Sequence, residues 1–331
     1  MYFITSSKDK ESAELAKFAA DYLRESNMMF KLDTEAAGLN KIDCEIVIAI
    51  GNDRFILETF RRLGKSQVPV FSVASSQSFL AQANALNFKR YLALIKKNKY
   101  EIFKRSRLIA KFGKTTTPIA LNDIGLFSAK AASLLKYSLV LNDELFWKDS
   151  SDGMVVATPT GSTGYSLSAG GPIVLGEPNI ITLTSISSLE KHSPVVVSDI
   201  AKIKIKDIEG YRPILVIDGE FRMPLNSKEI SIEKSQYGAN FVIFTKEHQL
   251  ESKLKKRTLK VDFDRLKGLP ASSKLIYKIL THEGNMTQKE LINASLLPER
   301  TVRYGLNMLF KKGLITHQPH FTDARQTVYG V

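Results

Sequence analysis

The sequence of 331 residues contains one cysteine, Cys44, and so cannot form an internal disulfide. A lone cysteine is typical of a reducing compartment, so we expect a cytoplasmic protein. The longest apolar runs, such as residues 44–50, are far shorter than a bilayer span. The N-terminus, MYFITSSKDK, lacks the basic segment and apolar core of a signal peptide. The sequence therefore favours neither a membrane, a secreted nor a fibrous protein.

Acidic residues are scarce at one end of the chain. The whole sequence has 47 Lys and Arg against 34 Asp and Glu, a formal net charge of +13 at pH 7. Residues 252–331 contain 15 of the basic and 6 of the acidic residues, a net charge of +9. A basic terminal region suggests a polyanionic partner such as nucleic acid. A solvated basic surface is the alternative, and charge alone does not decide between the two.

The apolar pattern predicts an α/β domain, an all-β domain and a linker. Residues 1–100 alternate strand-like runs with helical stripes, which is typical of an α/β domain with a parallel sheet. Residues 101–248 contain short strands separated by polar breaks, which predicts an all-β, sandwich-like domain. Residues 249–262 are charged and lack a long apolar stripe, so we interpret them as a basic linker.

The last region, 263–331, has the pattern of three helices and a hairpin. Thr287 and Glu290 are spaced as a capping box at the start of the second helix. Pro298 suits the first turn of the third helix. This order resembles a small α+β winged helix-turn-helix domain. The apolar stripes and runs that carry the pattern lie at 275–280, 291–292, 302–310, 314–316 and 327–329.

Residues 152–172 are rich in glycine and hydroxyl side chains. An apolar strand leads into TPTGSTGY at 158–165, and the segment ends in AGGP at 169–172. Glycines allow backbone N–H groups to approach a ligand closely, and hydroxyls supply short hydrogen bonds. The Tyr165 ring offers a face on which a base could stack. Such clusters are often plain turns, but this density of small residues before a helix favours a ligand-binding loop.

This segment closely resembles the signature of the NAD kinase family, whose members phosphorylate NAD to NADP. The resemblance extends over about residues 1–248, in the family's order and spacing. It implies an α/β N-terminal domain and a sandwich-like β domain, with the active site in the cleft between them. The further motifs that carry it are Gly51-Asn52-Asp53-Arg54, Leu121-Asn122-Asp123, Ser151-Asp152-Gly153 and Ile217-Asp218-Gly219.

The resemblance also implies roles for individual residues. Asp53 is expected to be the general base that takes the proton of the adenosine 2′-hydroxyl of NAD, which attacks the γ-phosphate of ATP. Mg²⁺ or another divalent metal is expected to come with ATP, since no side-chain cluster offers a metal site. Asp53 also has the position of a helix N-cap, and both roles are compatible. The expected NAD-binding residues are Asn122, Asp123, Asp152, Thr163, Gly164, Tyr165 and Ser168, and the expected phosphate-binding residues are Gly51, Asn52 and Arg54.

Several positions depart from the family's motifs. The family's Gly-Gly-Asp-Gly is Gly-Asn-Asp-Arg here, and the threonine that usually follows is Phe55. Asn52 tolerates the positive φ that a glycine allows, whereas Arg54 fits such a loop less well. Arg54 could instead donate directly to a phosphate, or it could block the site. In the segment Lys191-His192-Ser193-Pro194, the family usually has an arginine before the proline.

Most NAD kinases do not end in a winged helix, so the last region indicates an additional role. If it binds DNA, the helix after Pro298 would enter the major groove. Winged helices also serve as dimerisation or protein-docking modules, and that alternative stays open. His317 and His320 have no third ligand nearby, and we interpret them as wing residues. The candidate DNA contacts are Arg300, Thr301, Arg303, Tyr304, Lys311, Lys312 and Arg325.

Three functions are compatible with the sequence: an active NAD kinase with an added regulatory domain, a catalytically degenerate NAD(P)-sensing transcription regulator, and a kinase for a lipid or sugar hydroxyl. The intact TPTGSTGY segment argues against the third. The retained Asp53 favours the first, whereas Arg54 and the basic region favour the second. We expect an NAD kinase that binds NAD(H) and ATP, and the resemblance implies a homo-oligomer.

Overall fold

The structure is a computed structural model that describes residues 1–32, 39, 43–75, 78–130, 133–244, 266, 268–319 and 327–331. Its contacts divide the chain into two compact units. Unit 1 consists of Met1–Ser72 and Tyr100–Ile243, and unit 2 consists of Val73–Lys99 and Phe244–Val331. The predicted linker, 249–262, lies outside the described residues. The domain boundaries at 100, 248 and 262 stay predictions.

Most of the regular structure in the described ranges is β-strand. Strand formation follows the apolar runs of the sequence. The strands are β1 (Tyr2–Ser6), β2 (Phe30–Leu32), β3 (Ile46–Ile50), β4 (Val70–Ala74), β5 (Ala83–Asn84), β6 (Glu101–Arg105), β7 (Leu108–Phe112), β8 (Thr115–Thr116), β9 (Asp123–Ser128), β10 (Leu135–Leu141), β11 (Glu144–Ser151), β12 (Gly153–Ala157), β13 (Ile180–Ile186), β14 (Val195–Ser198), β15 (Ile203–Glu209), β16 (Pro213–Ile217), β17 (Phe221–Pro224), β18 (Ile230–Lys234), β19 (Ala239–Ile243), β20 (Met286–Thr287), β21 (Thr316–Pro319) and β22 (Thr327–Gly330).

Seven α-helices lie within the described part of the chain, and none of these is long and apolar enough to cross a membrane. A short 3₁₀ turn at Gly161–Thr163 also occurs within the TPTGSTGY segment. The helices are α1 (Lys10–Glu25), α2 (Asp53–Leu63), α3 (Phe88–Lys96), α4 (Tyr165–Ser168), α5 (Ala271–Glu283), α6 (Gln288–Ser295) and α7 (Glu299–Lys311).

The N-terminal sheet is mostly parallel, as the alternation of strands and helices predicts. Its order is β2-β1-β3-β4-β19-β6, with β5 paired to β4. Strands β1, β3 and β4 are buried along their whole length, which explains their continuous apolar sequences. β19 joins this sheet parallel to β4, and β6 pairs antiparallel with β19. The sheet therefore places β19, which comes much later in the sequence, beside β4.

Two antiparallel six-stranded sheets form the β-rich part of unit 1. Their orders are β11-β10-β15-β18-β7-β8 and β14-β13-β12-β9-β16-β17. Inward-facing side chains of both sheets, such as Leu139 on β10 and Ile124 on β9, share one buried core. This arrangement agrees with the predicted sandwich-like domain. It places β9, β12 and β16 next to one another, so that the ends of these strands meet at the candidate site.

The C-terminal part of unit 2 contains three helices and a three-stranded antiparallel sheet of order β20-β22-β21. The predicted capping box is present: the Thr287 hydroxyl accepts from the Glu290 backbone N–H, and the Glu290 carboxylate accepts from the Thr287 backbone N–H. The predicted strand at 314–316 is wrong in extent: β21 begins only at Thr316, since Leu314 and Ile315 are buried in the helical core. β20 was not predicted, and two residues are too few for a periodic signal.

Arg107 joins two segments of unit 1. Its guanidinium is fully buried and donates to three backbone carbonyls, those of Phe60, Gly64 and Ile119, each at 2.8 Å. The Gly64 carbonyl lies just past the end of α2, where carbonyls lack a partner within the helix, and the Phe60 carbonyl also accepts from the Gly64 backbone N–H at 3.2 Å. Burial lowers the pKa of Arg107 to about 10, so the side chain stays charged at neutral pH. It therefore holds the end of α2 to the segment before β9.

We expect Arg107→Met to lower the free energy of unfolding by about 3 kcal/mol, because it removes three buried hydrogen bonds and takes from the Gly64 and Ile119 carbonyls the guanidinium that donates to them. Urea titration of the full chain measures this change. The control is Lys104→Met, which removes an exposed charge from the neighbouring strand β6 and should change stability by less than about 0.5 kcal/mol. Equal stability of the two variants would contradict the anchoring role of Arg107.

Candidate functional site

The glycine-rich loop after β12 uses its hydroxyl groups to hold its own shape. Thr158 donates from Oγ1 to the carbonyl of Leu121 at 2.7 Å and accepts from the backbone N–H of Gly161 at 3.0 Å. Ser162 donates from Oγ to the Pro159 carbonyl at 2.7 Å. These hydroxyls are buried, so they serve the loop itself. Thr158 and Ser162 are not among the expected NAD-binding residues, and their hydrogen bonds stabilise the loop.

The same loop rests on the Asn122-Asp123 segment. The Thr158 backbone N–H donates to the Asn122 carbonyl at 2.9 Å. A Cβ atom on Gly161 would lie 2.0 Å from that carbonyl oxygen, so only glycine fits. A Cβ on Gly164 would lie 3.6 Å from Asn122 Nδ2 and 3.8 Å from Asp123 Oδ2. The fold therefore brings together residues predicted from two separate motifs: Asn122 and Asp123 from one, and Gly164 from the other.

Asp218 holds the Asn122-Asp123 segment by hydrogen bonds to its backbone. Its Oδ1 accepts from the backbone N–H groups of Leu121 at 2.9 Å and Asn122 at 2.7 Å. Its own backbone N–H donates to the Asp123 carbonyl at 2.9 Å. Its Oδ2 accepts from Arg61 Nη1 at 3.2 Å. The Asp-Gly turn seen in the sequence is thus a structural support of the site, a role that its local pattern does not reveal.

Two buried carboxyl groups, those of Asp123 and Asp218, belong to this part of the structure. Burial, together with the negative charge of Asp218, raises the pKa of Asp123 to about 7. Burial also raises the pKa of Asp218, while its bond from the Asn122 backbone and the charge of Arg61 oppose that shift. Asn122 Oδ1 is buried and has no hydrogen-bond partner among the residues that the structure describes. A buried acceptor of this kind is costly unless something satisfies it, which is what a ligand would do.

The remaining residues of the predicted dinucleotide site have different environments. Tyr165 is 45% exposed, and its ring centroid lies 5.8 Å from that of Phe127. Ser168 is exposed at the end of α4, and Asp152 is exposed in the turn between β11 and β12. Thr163 is half-buried and donates to the Thr160 carbonyl at 3.3 Å. Their ligand contacts stay predictions.

The Gly51-Asn52-Asp53-Arg54 motif forms the start of α2. The N-cap is Asn52, whose side chain accepts from the backbone N–H of Phe55 at 3.0 Å. The alternative that Asp53 is the N-cap is therefore wrong; Asp53 is the first helical residue and is half-buried. Asn52 has φ −78°, so the positive φ considered for this position is not used. A Cβ on Gly51 would lie 2.9 Å from the side chain of Phe55, which explains why Gly51 is needed here.

Arg54 makes an ion pair within unit 1. Its Nε donates to Glu220 Oε1 at 2.7 Å, although the Arg54 side chain remains 74% exposed. Arg61, which lies two turns further along the same face of α2, donates to Glu220 Oε2 at 2.6 Å. Both arginines therefore reach from α2 to the Asp218–Glu220 turn. In the free protein Arg54 is held by a carboxylate, and its exposed guanidinium leaves room for an anion.

Sequence reasoning missed Arg105 and Glu177. Arg105 is buried at the end of β6, with its guanidinium 4.8 Å from the centroid of the Phe241 ring. It donates from Nη1 to Thr160 Oγ1 at 3.3 Å, and Thr160 donates to Glu177 Oε1 at 2.7 Å. Burial lowers the pKa of Arg105, and the charges of Glu177 and Asp53 oppose that shift. The only signal for Arg105 in the sequence was an arginine at the end of a strand-forming segment, EIFKR at 101–105.

The candidate residues of the C-terminal region lie mainly on α7. Arg300, Arg303, Tyr304 and Lys311 are exposed on that helix, and Lys312, also exposed, is its C-cap residue. Thr301 is half-buried, and its backbone N–H donates to the Pro298 carbonyl at 2.8 Å. His317 is exposed on β21, with its ring 4.5 Å from that of Phe310. Arg325 and His320 lie outside the described residues.

The geometry in unit 1 is that of a ligand-binding protein. A rigid loop with glycines at its points of closest approach faces two polar side chains, one carrying a buried acceptor without a partner. An aromatic ring is exposed at its edge. Small residues, a stacking face and a few convergent polar groups are what a nucleotide requires.

Comparison with known proteins agrees with this class. Residues 121–244 match the family model of the ATP-NAD kinase C-terminal domain. The chain is 34% identical over 209 residues to the NAD kinase of Clostridium botulinum (strain Loch Maree / Type A3), covering 60% of this chain and 73% of the relative. It is 27% identical over 273 residues to the NAD kinase of Methanothermobacter thermautotrophicus, covering 78% of this chain and 95% of the relative.

A solved structure is also similar. An NAD kinase from Archaeoglobus fulgidus in complex with ATP aligns with a TM-score of 0.67 and 25% identity, covering 78% of this chain and 100% of that one. Together with the extent of the match to the clostridial relative, this establishes the family. The chain belongs to the NAD kinase family.

The pKa of Asp123 predicts a pH dependence of stability. Because this pKa is higher in the folded state than its ordinary value of 3.8, the folded protein binds the proton more tightly. The stability that it contributes is present below about pH 4 and is lost as the pH rises through 7. We expect Asp123→Asn to make the fall in unfolding free energy over this range shallower by up to about 1.4 kcal/mol per pH unit.

Urea unfolding of both proteins over that pH range measures the difference. The control is Asp152→Asn, which removes an exposed carboxyl group and should leave the slope as it is. A wild-type slope in Asp123→Asn would contradict the environment assigned to Asp123.

Proposed function

We propose that this member of the NAD kinase family transfers the γ-phosphate of ATP to the adenosine 2′-hydroxyl of NAD, which yields NADP and ADP. The observation that carries the proposal is the Asn122-Asp123 pair beside Gly164, with a buried Asn122 acceptor that the protein leaves without a partner. The relatives named as NAD kinases support the same reaction. ATP as the donor is supported by the similar structure that was solved with ATP.

Each part of the dinucleotide has a proposed contact. Asn122 and Asp123 hold the ribose and base through their amide and carboxyl groups. Gly164 lets the sugar approach the backbone, and the exposed Tyr165 ring stacks on the base. Thr163, Ser168 and Asp152 complete the pocket. A loop fixed by its own hydrogen bonds supports this role, because a preformed pocket loses little conformational entropy on binding.

Asp53 is the proposed general base. It takes the proton of the 2′-hydroxyl as the new O–P bond forms, and the bond between the γ-phosphorus and the bridging oxygen breaks to release ADP. Its place at the start of α2, beside Gly51, Asn52 and Arg54, supports binding of the donor phosphates there. Arg54 can turn its exposed guanidinium from Glu220 to a phosphate, which replaces the family's glycine by a charged donor.

The divalent ion is proposed to arrive with ATP. Among the described residues, no group of three or more His, Cys, Asp and Glu side chains could hold a metal ion. Mg²⁺ bound to the phosphates neutralises their charge without needing such a group. We therefore expect activity to depend on Mg²⁺ together with ATP.

Asp53→Asn should abolish NADP formation and leave NAD binding largely intact, since an amide cannot take the proton but has the same size. The measurement is NADP produced from Mg-ATP and NAD by each purified protein, with NAD affinity from calorimetry. The control is Asp21→Asn, an exposed change on α1 that should leave turnover at the wild-type rate.

NADP formation by Asp53→Asn at the wild-type rate would remove Asp53 from the mechanism. A wild-type protein that binds NAD but forms no NADP would contradict the kinase proposal and favour a dinucleotide-sensing regulator instead.

A homo-oligomer is proposed on the basis of a sheet edge. β11 is the outermost strand of its six-stranded sheet, and Leu145 and Phe146 on it are 58% and 50% exposed. Trp147 on the same strand stacks on His192 at 4.3 Å between ring centroids. An edge strand with exposed apolar side chains is a surface on which a second copy can pair.

The location in the cytoplasm, argued from the single cysteine, also stays a proposal.

The C-terminal module is proposed to be a winged helix that binds DNA. The observation that favours this second function is a continuous exposed stripe on α7. Its members recur at helical spacing, so they lie on one face and could enter a major groove together. Arg303 forms an ion pair with Glu299 within the helix, which leaves Arg300 and Lys311 as the main cationic contacts. The stripe consists of Arg300, Arg303, Tyr304, Asn307 and Lys311.

The double variant Arg300→Ala/Lys311→Ala should weaken DNA binding and reduce the slope of log affinity against log salt by about two, since each lost phosphate contact removes about one. Fluorescence anisotropy with duplex DNA over a salt series measures the slope. The matched control is Lys274→Ala/Lys278→Ala, which removes two exposed charges from α5. A wild-type protein without salt-dependent DNA binding would favour a dimerisation or docking module instead.

A further inference from the structure

Asp218 contacts the candidate dinucleotide site through backbone groups of residues 121–123. Its carboxylate accepts from the N–H groups of Leu121 and Asn122, and its own N–H donates to the carbonyl of Asp123. These bonds fix the peptide planes immediately before the two side chains proposed to hold the dinucleotide. A small rotation of those planes would move the Asn122 amide and the Asp123 carboxyl relative to Gly164.

Arg61 in turn holds Asp218. Its Nη1 donates to Asp218 Oδ2 at 3.2 Å, and its Nη2 donates to Glu220 Oε2 at 2.6 Å. The Arg61 side chain is 8% exposed and the Asp218 side chain is not exposed at all, so the pair is shielded from solvent. One planar guanidinium thus bonds two carboxylates of the same turn, a geometry that lysine cannot reproduce.

The connection continues to the start of α2. Glu220 Oε1 accepts from Arg54, which follows Asp53 directly in the sequence. The chain of contacts therefore runs from the residue beside the proposed base, through Glu220, Arg61 and Asp218, to the backbone of Asn122. Every link joins residues of unit 1.

We propose that Arg61 and Asp218 are positioning residues for the dinucleotide: they set the orientation of Asn122 and Asp123 and hold them in register with the start of α2. The inference rests on the proposed function and adds to it. A purely stabilising pair would have no reason to end on the peptide groups of two ligand-binding residues. Removing either partner leaves an uncompensated buried charge, so the pair also has a cost that a plain apolar contact would avoid.

Arg62 provides a contrast on the same helix. It is the next residue of α2 and pairs with Glu58, one turn earlier, with both side chains substantially exposed. Exposed pairs of this kind contribute little to stability. Arg62→Met therefore removes the same charge from the same helix without the proposed effect.

The test is NAD affinity by calorimetry on the full-length protein, without ATP. We expect Arg61→Met to raise the Kd for NAD about tenfold, as second-layer partners of ligand-binding residues commonly do. Arg62→Met should keep the wild-type Kd. Arg61→Lys keeps the charge beside Asp218 but cannot bond both carboxylates, so we expect a rise of about threefold; this variant decides the question if Arg61→Met does not fold.

A double-mutant cycle separates positioning from general loosening of the fold. Asn122→Ala removes the side chain that Arg61 is proposed to orient but keeps its backbone. In that background, Arg61→Met should change the Kd by less than about threefold, because only the Asp123 carboxyl group is left to misplace. A merely structural role would give the full tenfold effect in both backgrounds.

Wild-type Kd values in the Arg61 variants, or equal effects of Arg61→Met with and without the Asn122 side chain, would overturn the proposal. Neither result bears on the kinase reaction itself, which fails only if the wild-type protein forms no NADP. The binding assay and the NADP assay on the same wild-type preparation therefore distinguish the two failures.

Discussion

The hydrogen bonds from the Leu121 and Asn122 backbone to the Asp218 carboxylate are the contacts on which the candidate site depends. Asn122 receives the glycine-rich loop through its carbonyl and presents its side chain beside Gly164. Asp218 is tied by Arg61 to α2, which begins at Asp53. Three segments far apart in the sequence therefore meet at one buried carboxylate. Burial of Asp123, together with the negative charge of Asp218 beside it, raises the pKa of Asp123 to about 7.

The altered Gly-Asn-Asp-Arg motif keeps the local geometry of a helix start by other means. Asn52 caps α2, and the Phe55 ring packs against Gly51, so the turn needs no positive φ. Arg54 brings a positive charge to a position where the family has a glycine, and Glu220 balances that charge in the free protein. The substitution thus changes how an anion would be held while leaving Asp53 at the first turn. Arg54 points to Glu220 and stays largely exposed.

Local patterns predicted much of the fold. Continuous apolar runs gave β1, β3 and β4 because both faces of that sheet are covered, and the Thr287–Glu290 capping box was readable from spacing alone. The glycine-rich motif was also recognisable, although its hydroxyls turned out to bond the loop. Contacts across the sequence were not predictable: Asp218 and Asn122 are 96 residues apart, and Arg105 donates to Thr160, 55 residues later. The sequence did not distinguish Asn52 from Asp53 as the N-cap of α2, because both residue types suit that position about equally.

The most direct test of the account follows the phosphate itself. The full-length protein is incubated with Mg²⁺, ATP radiolabelled in its γ-phosphate, and either NAD or the analogue that lacks the adenosine 2′-hydroxyl. The account predicts label on NAD and none on the analogue, with both ligands bound. Label on both would place the transfer at another hydroxyl, and label on neither, with NAD still bound, would contradict phosphoryl transfer by this site.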